Sequence, residues 1–177
     1  MAKIVDLKTY RARLFRDRAL GPWKRRFNET YDVTSRLAEL SDKTLLFLAR
    51  PGDAATLAFY EIIMGTLDLG TAADFYALDK PDQLKVVDIH LFLADQTRFE
   101  LMRRLGWVLR FACQGHTLVK LIQDADRLKT ESRGFAPELS PTHPAFATFR
   151  DLTAPDKESF VRRLLSEALE SFKNRVG

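Results

Sequence analysis

Three histidines, one cysteine and a few evenly spaced carboxylates are the side chains here whose types can carry acid–base, nucleophilic or metal chemistry. Cys113-Gln114-Gly115-His116 has the C-x-x-H spacing of half a zinc site. A structural zinc site takes four ligands. No second cysteine exists, and His143 and a carboxylate would have to complete the set from far along the chain, so no metal is expected. As a nucleophile paired with His116, Cys113 would need a lowered pKa and a base in reach. Neither is shown by sequence, and a buried thiol is the plainer expectation.

The carboxylates Glu61 and Asp68, and likewise Asp88 and Asp95, fall on one face of their helices. Facing carboxylates suggest a di-iron bundle, but that chemistry also needs Glu-x-x-His on two helices. The residue three before each histidine is Val87, Cys113 or Ser140, and the requirement fails. These carboxylates are expected to line solvated faces. There is no phosphate loop, dinucleotide glycine pattern or Gly-x-Ser-x-Gly, so no cofactor is expected and the balance tilts away from an enzyme.

His90 stands in Val87-Asp88-Ile89-His90-Leu91-Phe92. At about 100° per residue it shares a helix face with Val86, Leu93, Ala94, Thr97 and Leu101, while Asp88 points the other way. The expectation is a core histidine satisfied by a carbonyl or by a hydroxyl such as Thr97, and kept neutral by burial. The functional alternative is an apolar ligand pocket with His90 and Thr97 as its polar anchors.

Charge is the stronger signal. Residues 1–27 hold nine Lys or Arg and two Asp, a balance of +7; the other 150 hold nineteen basic and twenty-two acidic residues, a balance of −3. A basic arm precedes a mildly acidic body. On a wheel the arm's apolar residues Leu7, Tyr10, Leu14 and Phe15 form a narrow stripe with Arg11 and Arg18 inside it. A membrane-surface helix segregates its basic and apolar faces, so the pattern counts against a membrane. Nucleic acid would place Arg11, Arg13, Arg16, Arg18, Lys24, Arg25 and Arg26 on phosphates and stack bases on Tyr10, Phe15, Trp23 or Phe27. No reading motif accompanies them. The favoured expectation is docking on protein, within the chain or across a homodimer. Leu14, Phe15 and Trp23 would fill a groove, and arginine stems would cover apolar surface.

The elements that must position these residues read as helices separated by Gly and Pro. A helix is predicted over about 6–19, stopped by Gly21-Pro22, and a second over 32–49, ended by Pro51-Gly52. A third over 53–68 returns antiparallel to it. Thr71-Ala72-Ala73-Asp74 resembles a capping box opening a short helix. The longest helix, 82–105, stops at Gly106. Thr117 caps a helix to about 129, residues 130–144 are irregular, a short helix covers 144–152, and a last amphipathic helix covers 155–174. The expected fold is all-α: a single domain over 28–177 with six to eight helices around 82–105, carrying the basic arm 1–27. Residues 86–94 are apolar on nearly every side except Asp88, so this stretch is either central or shared with a partner.

The start shows no apolar run of signal-peptide length, no stretch reaches the ~18 apolar residues of a membrane span, and one cysteine excludes an internal disulfide. A cytoplasmic protein is expected. The leading expectation for function is a non-enzymatic interaction protein that binds a protein partner, with itself as first candidate, and whose arm reaches an anionic surface. A nucleic-acid-associated protein and a small-ligand binder at His90 stand as alternatives.

Overall fold

The computed structural model describes residues 6–177. Residues 1–5 of the arm, with Lys3, lie outside the described residues. Asp6 opens the first helix, its carboxylate accepting from the Lys8 backbone N–H at 3.0 Å. Helix α1 (Leu7–Phe27) then runs straight through Gly21-Pro22, the expected stop. Proline lacks the N–H that would bond the Arg18 carbonyl, which lies against Gly65 of a neighbouring helix, and the helix continues with Ala19, Leu20 and Trp23 buried on either side of the proline. Asn28, left-handed at φ 53°, ends α1 one turn after Lys24, Arg25 and Arg26, where cations suit the helix dipole.

The helix expected over 32–49 starts ten residues late. Asp32, Thr34 and Ser35 bond local backbone instead: Thr34 N–H donates to the Asp32 carboxylate and Asp32 N–H to the Ser35 hydroxyl. A 3-10 turn (Leu37–Glu39) follows, and Ser41 caps α2 (Asp42–Ala49) by accepting from Thr44 N–H at 3.1 Å. Val33 is left exposed, ahead of the helix. After Pro51-Gly52 comes α3 (Asp53–Thr66). The Thr71–Asp74 capping box forms, but the helix it opens stays a 3-10 turn (Ala72–Ala77) with none of its residues buried.

Asp79 caps α4 (Lys80–Arg104), with Pro81 in its first turn. At ~1.5 Å per residue this mast is about 37 Å long. Gly106, at φ 78°, closes it: Gly106 N–H reaches the Arg103 carbonyl and Trp107 N–H the Met102 carbonyl, both at 2.9 Å. Val86, Ile89, Leu93, Thr97 and Leu101 form its buried stripe.

Strand β1 (Val108–Arg110) then pairs antiparallel with β2 (Glu138–Leu139), Val108 opposite Leu139. This small ribbon ties the irregular 130–144 stretch to the segment after α4. Between the strands lie α5 (Leu118–Gln123), capped by Thr117, and α6 (Ala125–Glu131). The chain ends with α7 (Phe146–Arg150), α8 (Ala154–Arg163) and α9 (Leu165–Val176). The helices expected over 117–129 and 155–174 are each bent into two, at Asp124 and at Leu164, whose N–H turns to the Val161 carbonyl. Hence the all-α fold has nine α-helices among the described residues, α1 in the arm and eight in the body, within the six to eight expected there. No described helix is long and apolar enough to cross a membrane.

One core surrounds α4: α2 and α3 pack on one side, α5, α6 and β1 on another, and α9 closes it. Glu100 is buried on the mast and held by two arginines. Arg103 grips it through two bonds of 2.8 Å. Arg104 binds it at 3.1 Å and reaches on to Asp42 and the Leu37 carbonyl.

Candidate functional site

Helix α1 has two halves with different environments. In the rear half Ala19, Leu20 and Trp23 are buried. Trp23 donates from Nε1 to the Ala58 carbonyl at 2.7 Å and meets Phe27 and Tyr31 edge-on. Arg18 donates to the Gly65 carbonyl at 2.8 Å and lies 3.6 Å from Asp68. Arg26 pairs with Glu61, Nε to Oε2 at 3.0 Å and Nη2 to Oε1 at 2.5 Å, and this hydrogen bonding holds the guanidinium above its ordinary pKa. Of the arm residues singled out from sequence, Arg18, Trp23 and Arg26 are therefore tied to α3 of their own body. Lys24 and Arg25 are exposed beside them.

In the front half, residues 6–17, every side chain is exposed except the half-buried Phe15. Arg13 and Arg16 share Asp17 at 3.9 and 3.7 Å, loose surface pairs worth ~0–1 kcal/mol. Lys8 and Arg11 have no carboxylate within 4 Å among the described residues. Leu7, Tyr10 and Leu14 line one side and are about half or more exposed. This is a cationic helix with an uncovered apolar stripe, continued from a packed base.

A second uncovered stripe lies on α4. Leu84 and Leu91 are 52% and 58% exposed, and Asp88 stands exposed between them. Beside it opens a cleft of about 280 Å³ among α4, Phe111, Arg133, Phe135 and Arg162. Phe92 and Phe99 contribute apolar wall, and Gln96 lines it from the mast. Gln96 is 6% exposed, and its buried amide oxygen has no hydrogen-bond partner. At one edge Asp95 meets Arg162 at 2.7 Å. Burial pushes the Asp95 carboxyl above its usual range, against the pull of Arg162 and Arg98.

His90 and Thr97 do not share a pocket. The His90 ring packs between Phe59 and Tyr60 at centroid distances of 5.3 and 5.6 Å. Burial, with Arg98 nearby, lowers its pKa. Thr97 is fully buried and donates to the Leu93 carbonyl at 2.8 Å. Cys113 and His116 close a turn, His116 N–H on the Cys113 carbonyl, and both border a cleft of about 640 Å³. Burial and Glu131 raise the Cys113 pKa, so the sulfur is held as a thiol, the opposite of an activated nucleophile. His143 stacks edge-on to Trp107, and its Nδ1 accepts from Ala145 N–H at 3.1 Å. Among the described residues no three of His, Cys, Asp and Glu converge as a metal site.

Sequence reasoning marked the cations of the arm and the greasy α4 stretch around Asp88. It did not single out Gln96, whose signal was a polar residue one turn from Phe92 and Phe99 on the mast. Comparison with protein-family models, with curated proteins and with solved structures gives no match for this chain.

Proposed function

We propose that this is a non-enzymatic interaction protein whose body holds out the front half of α1 as a recognition helix for an acidic, apolar-lined protein surface. The observation that carries this reading is the division of α1, with its rear locked to α3 and its front uncovered. A free helix of about twelve residues is marginal in water. Continued from a packed base, it needs little further ordering on binding. Leu7, Tyr10 and Leu14 supply the i, i+3, i+7 anchors of a helix lying in a groove. Tyrosine and arginine are the side chains that contribute most at interface centres.

Nucleic acid is the competing partner for the same cations. Its stacking platform is reduced, because Trp23 is buried and Phe27 packs on Phe47 and Trp23. Of the four aromatics in the arm, Tyr10 and Phe15 remain, and Arg18 already covers the Phe15 ring at 5.5 Å.

The test is a photocrosslinking amino acid at position 10 of the full chain, expressed in cells, with exposed position 173 as control. Protein adducts at position 10, several-fold fewer when Arg11→Glu is added, are expected. Adducts with RNA or DNA in place of protein would overturn the reading in favour of the alternative.

A further inference from the structure

We infer that the protein partner presents an acidic helix, which lies along one face of α1 from Leu7 to Arg25 and sets an apolar side chain into the hollow between α1 and α3. This rests on the reading of α1 as a recognition helix, and names the element it recognises.

Arginine recurs on α1 at seven-residue intervals, as Arg11, Arg18 and Arg25, and Leu7 and Leu14 keep the same interval. A seven-residue repeat drifts only about 20° per step on an α-helix, so each set forms a line, and the two lines run about 40° apart on one side. All five residues are exposed, while the buried Ala19, Leu20 and Trp23 point away from them. An apolar line flanked by like charges at this interval is what one helix offers another lying beside it, and the partner answers with opposite charges. From Leu7 to Arg25 the face is about 27 Å long, which a partner helix of about eighteen residues spans.

The charges on this face fix the sign of the partner. The ion pairs of α1 engage Arg13, Arg16, Arg18 and Arg26; Arg11 and Arg25 have no carboxylate within 4 Å among the described residues. The nearby acids are already engaged: Asp17 lies between Arg13 and Arg16, Asp68 stands 3.6 Å from Arg18, and Arg26 holds Glu61 by two bonds. Arg11 and Arg25, about 21 Å apart along the helix, are left to meet carboxylates of the partner.

The hollow supplies an apolar seat on the same face. It encloses about 610 Å³, with Pro22 and Arg25 on α1, Leu57 and Gly65 on α3, and Ala72 and Ala73 on the 3-10 turn. Gly65, Ala72 and Ala73 are small, which leaves the space, and Leu57 is 46% exposed. Arg18 and Arg25 belong both to the arginine line and to the wall of the hollow, so a helix laid on the line passes over the opening. Exposed ion pairs contribute little each. Covering Leu7, Leu14 and Leu57 supplies the attraction, and the arginines set partner choice and direction.

The test is fluorescence anisotropy of a labelled synthetic helix of about three heptads, with leucine at a and d and glutamate at e and g, titrated with the full chain at low salt. Glutamate at e and g keeps the peptide from pairing with itself. Saturable binding with a Kd of about 10–100 µM is expected. Arg11→Glu combined with Arg25→Glu weakens it about tenfold or more. Lys8→Glu combined with Lys24→Glu changes the net charge equally but lies off the arginine line, and weakens it less than about threefold. Leu57→Ser, a neutral change at an exposed position, weakens it about fivefold. Melting curves like that of the wild type show that the variants fold.

A peptide that does not bind overturns the inference. So do equal losses from the two charge-reversed pairs, which mean unspecific attraction, or a Leu57→Ser variant that binds like the wild type. A single-stranded DNA of matched charge that binds more tightly than the peptide, with the same loss on reversing Arg11 and Arg25, assigns the face to nucleic acid instead. If the peptide fails while position 10 crosslinks to a protein in cells, the recognition helix stands and its partner presents another element. If both fail, both readings fall.

Discussion

Arg18 and Gly65 hold each other twice. The Arg18 side chain donates to the Gly65 carbonyl at 2.8 Å, and the Arg18 carbonyl lies where a Cβ on Gly65 would have to go. That carbonyl is the one Pro22 leaves without a helical donor, so a single close approach settles three residues on two helices.

Gly65→Ala is therefore expected to destabilise the protein by about 1–3 kcal/mol, the usual cost of an overpacked contact. Alanine would gain roughly 1 kcal/mol of helix propensity over glycine in the absence of the clash. The atom it meets is backbone, fixed by α1 on both sides, and cannot swing away. Urea unfolding midpoints check this against Gly115→Ala, where an added Cβ meets nothing within 4 Å and the change should stay within about 0.5 kcal/mol.

This contact also shows where sequence reading reached its limit. Signals carried within one turn were legible: Thr71 with Asp74, the Gly106 stop and the Thr117 cap are all present. Pro22 is local as well, but the carbonyl it leaves free packs against a glycine on α3, and no window around residue 22 contains that fact. The β-ribbon is similar, because Val108 and Leu139 become partners only after α5 and α6 have turned the chain. At the site, the wheel placed Leu7, Tyr10, Leu14 and Arg11 together. The burial of Trp23 against Ala58 and the unpaired Gln96 amide depend on what lies opposite, which a wheel does not show.

Glu100 is the buried charge on which the centre of the bundle depends. Arg103 and Arg104 satisfy it, and Arg104 carries the connection to Asp42, to the Leu37 carbonyl and, through its own carbonyl, to Arg175 at 2.6 Å. Glu100→Ala is expected to cost about 3–5 kcal/mol, because it strands two partly buried guanidinium groups. Arg104→Lys should also destabilise, since an ammonium lacks the fork that reaches carboxylate and carbonyl together. Denaturant unfolding of both variants reads the effect.

Glu29 sets an acid limit. Burial pushes its pKa up, but hydrogen bonds from Ser41, Thr44 and Tyr31 more than reverse this and hold it below its usual 4.5. Unfolded Glu29 then takes up a proton before folded Glu29 does. Its contribution is fully present above about 4.5 and is lost as pH falls through the folded value. Glu29→Gln should lower stability at neutral pH and flatten the loss on the acid side, as measured by melting temperature between pH 3 and 7.

His90 acts in a separate window. Burial between Phe59 and Tyr60, with Arg98 adding repulsion, lowers its pKa from the ordinary 6.5. Below 6.5 the unfolded chain binds the proton more readily, so stability is whole above that pH. It declines as pH falls toward the folded value and levels off beneath it. His143, lowered in the same direction by burial against an opposing pull from Glu167, adds to this decline. His90→Phe keeps an aromatic ring beside Phe59 and Tyr60 and removes the proton site. It should leave stability near pH 8 little changed and reduce the loss between roughly pH 6.5 and 5. The remaining slope should disappear only when His143 is replaced as well. An unchanged slope in His90→Phe would mean that His90 takes its proton equally well in the folded chain.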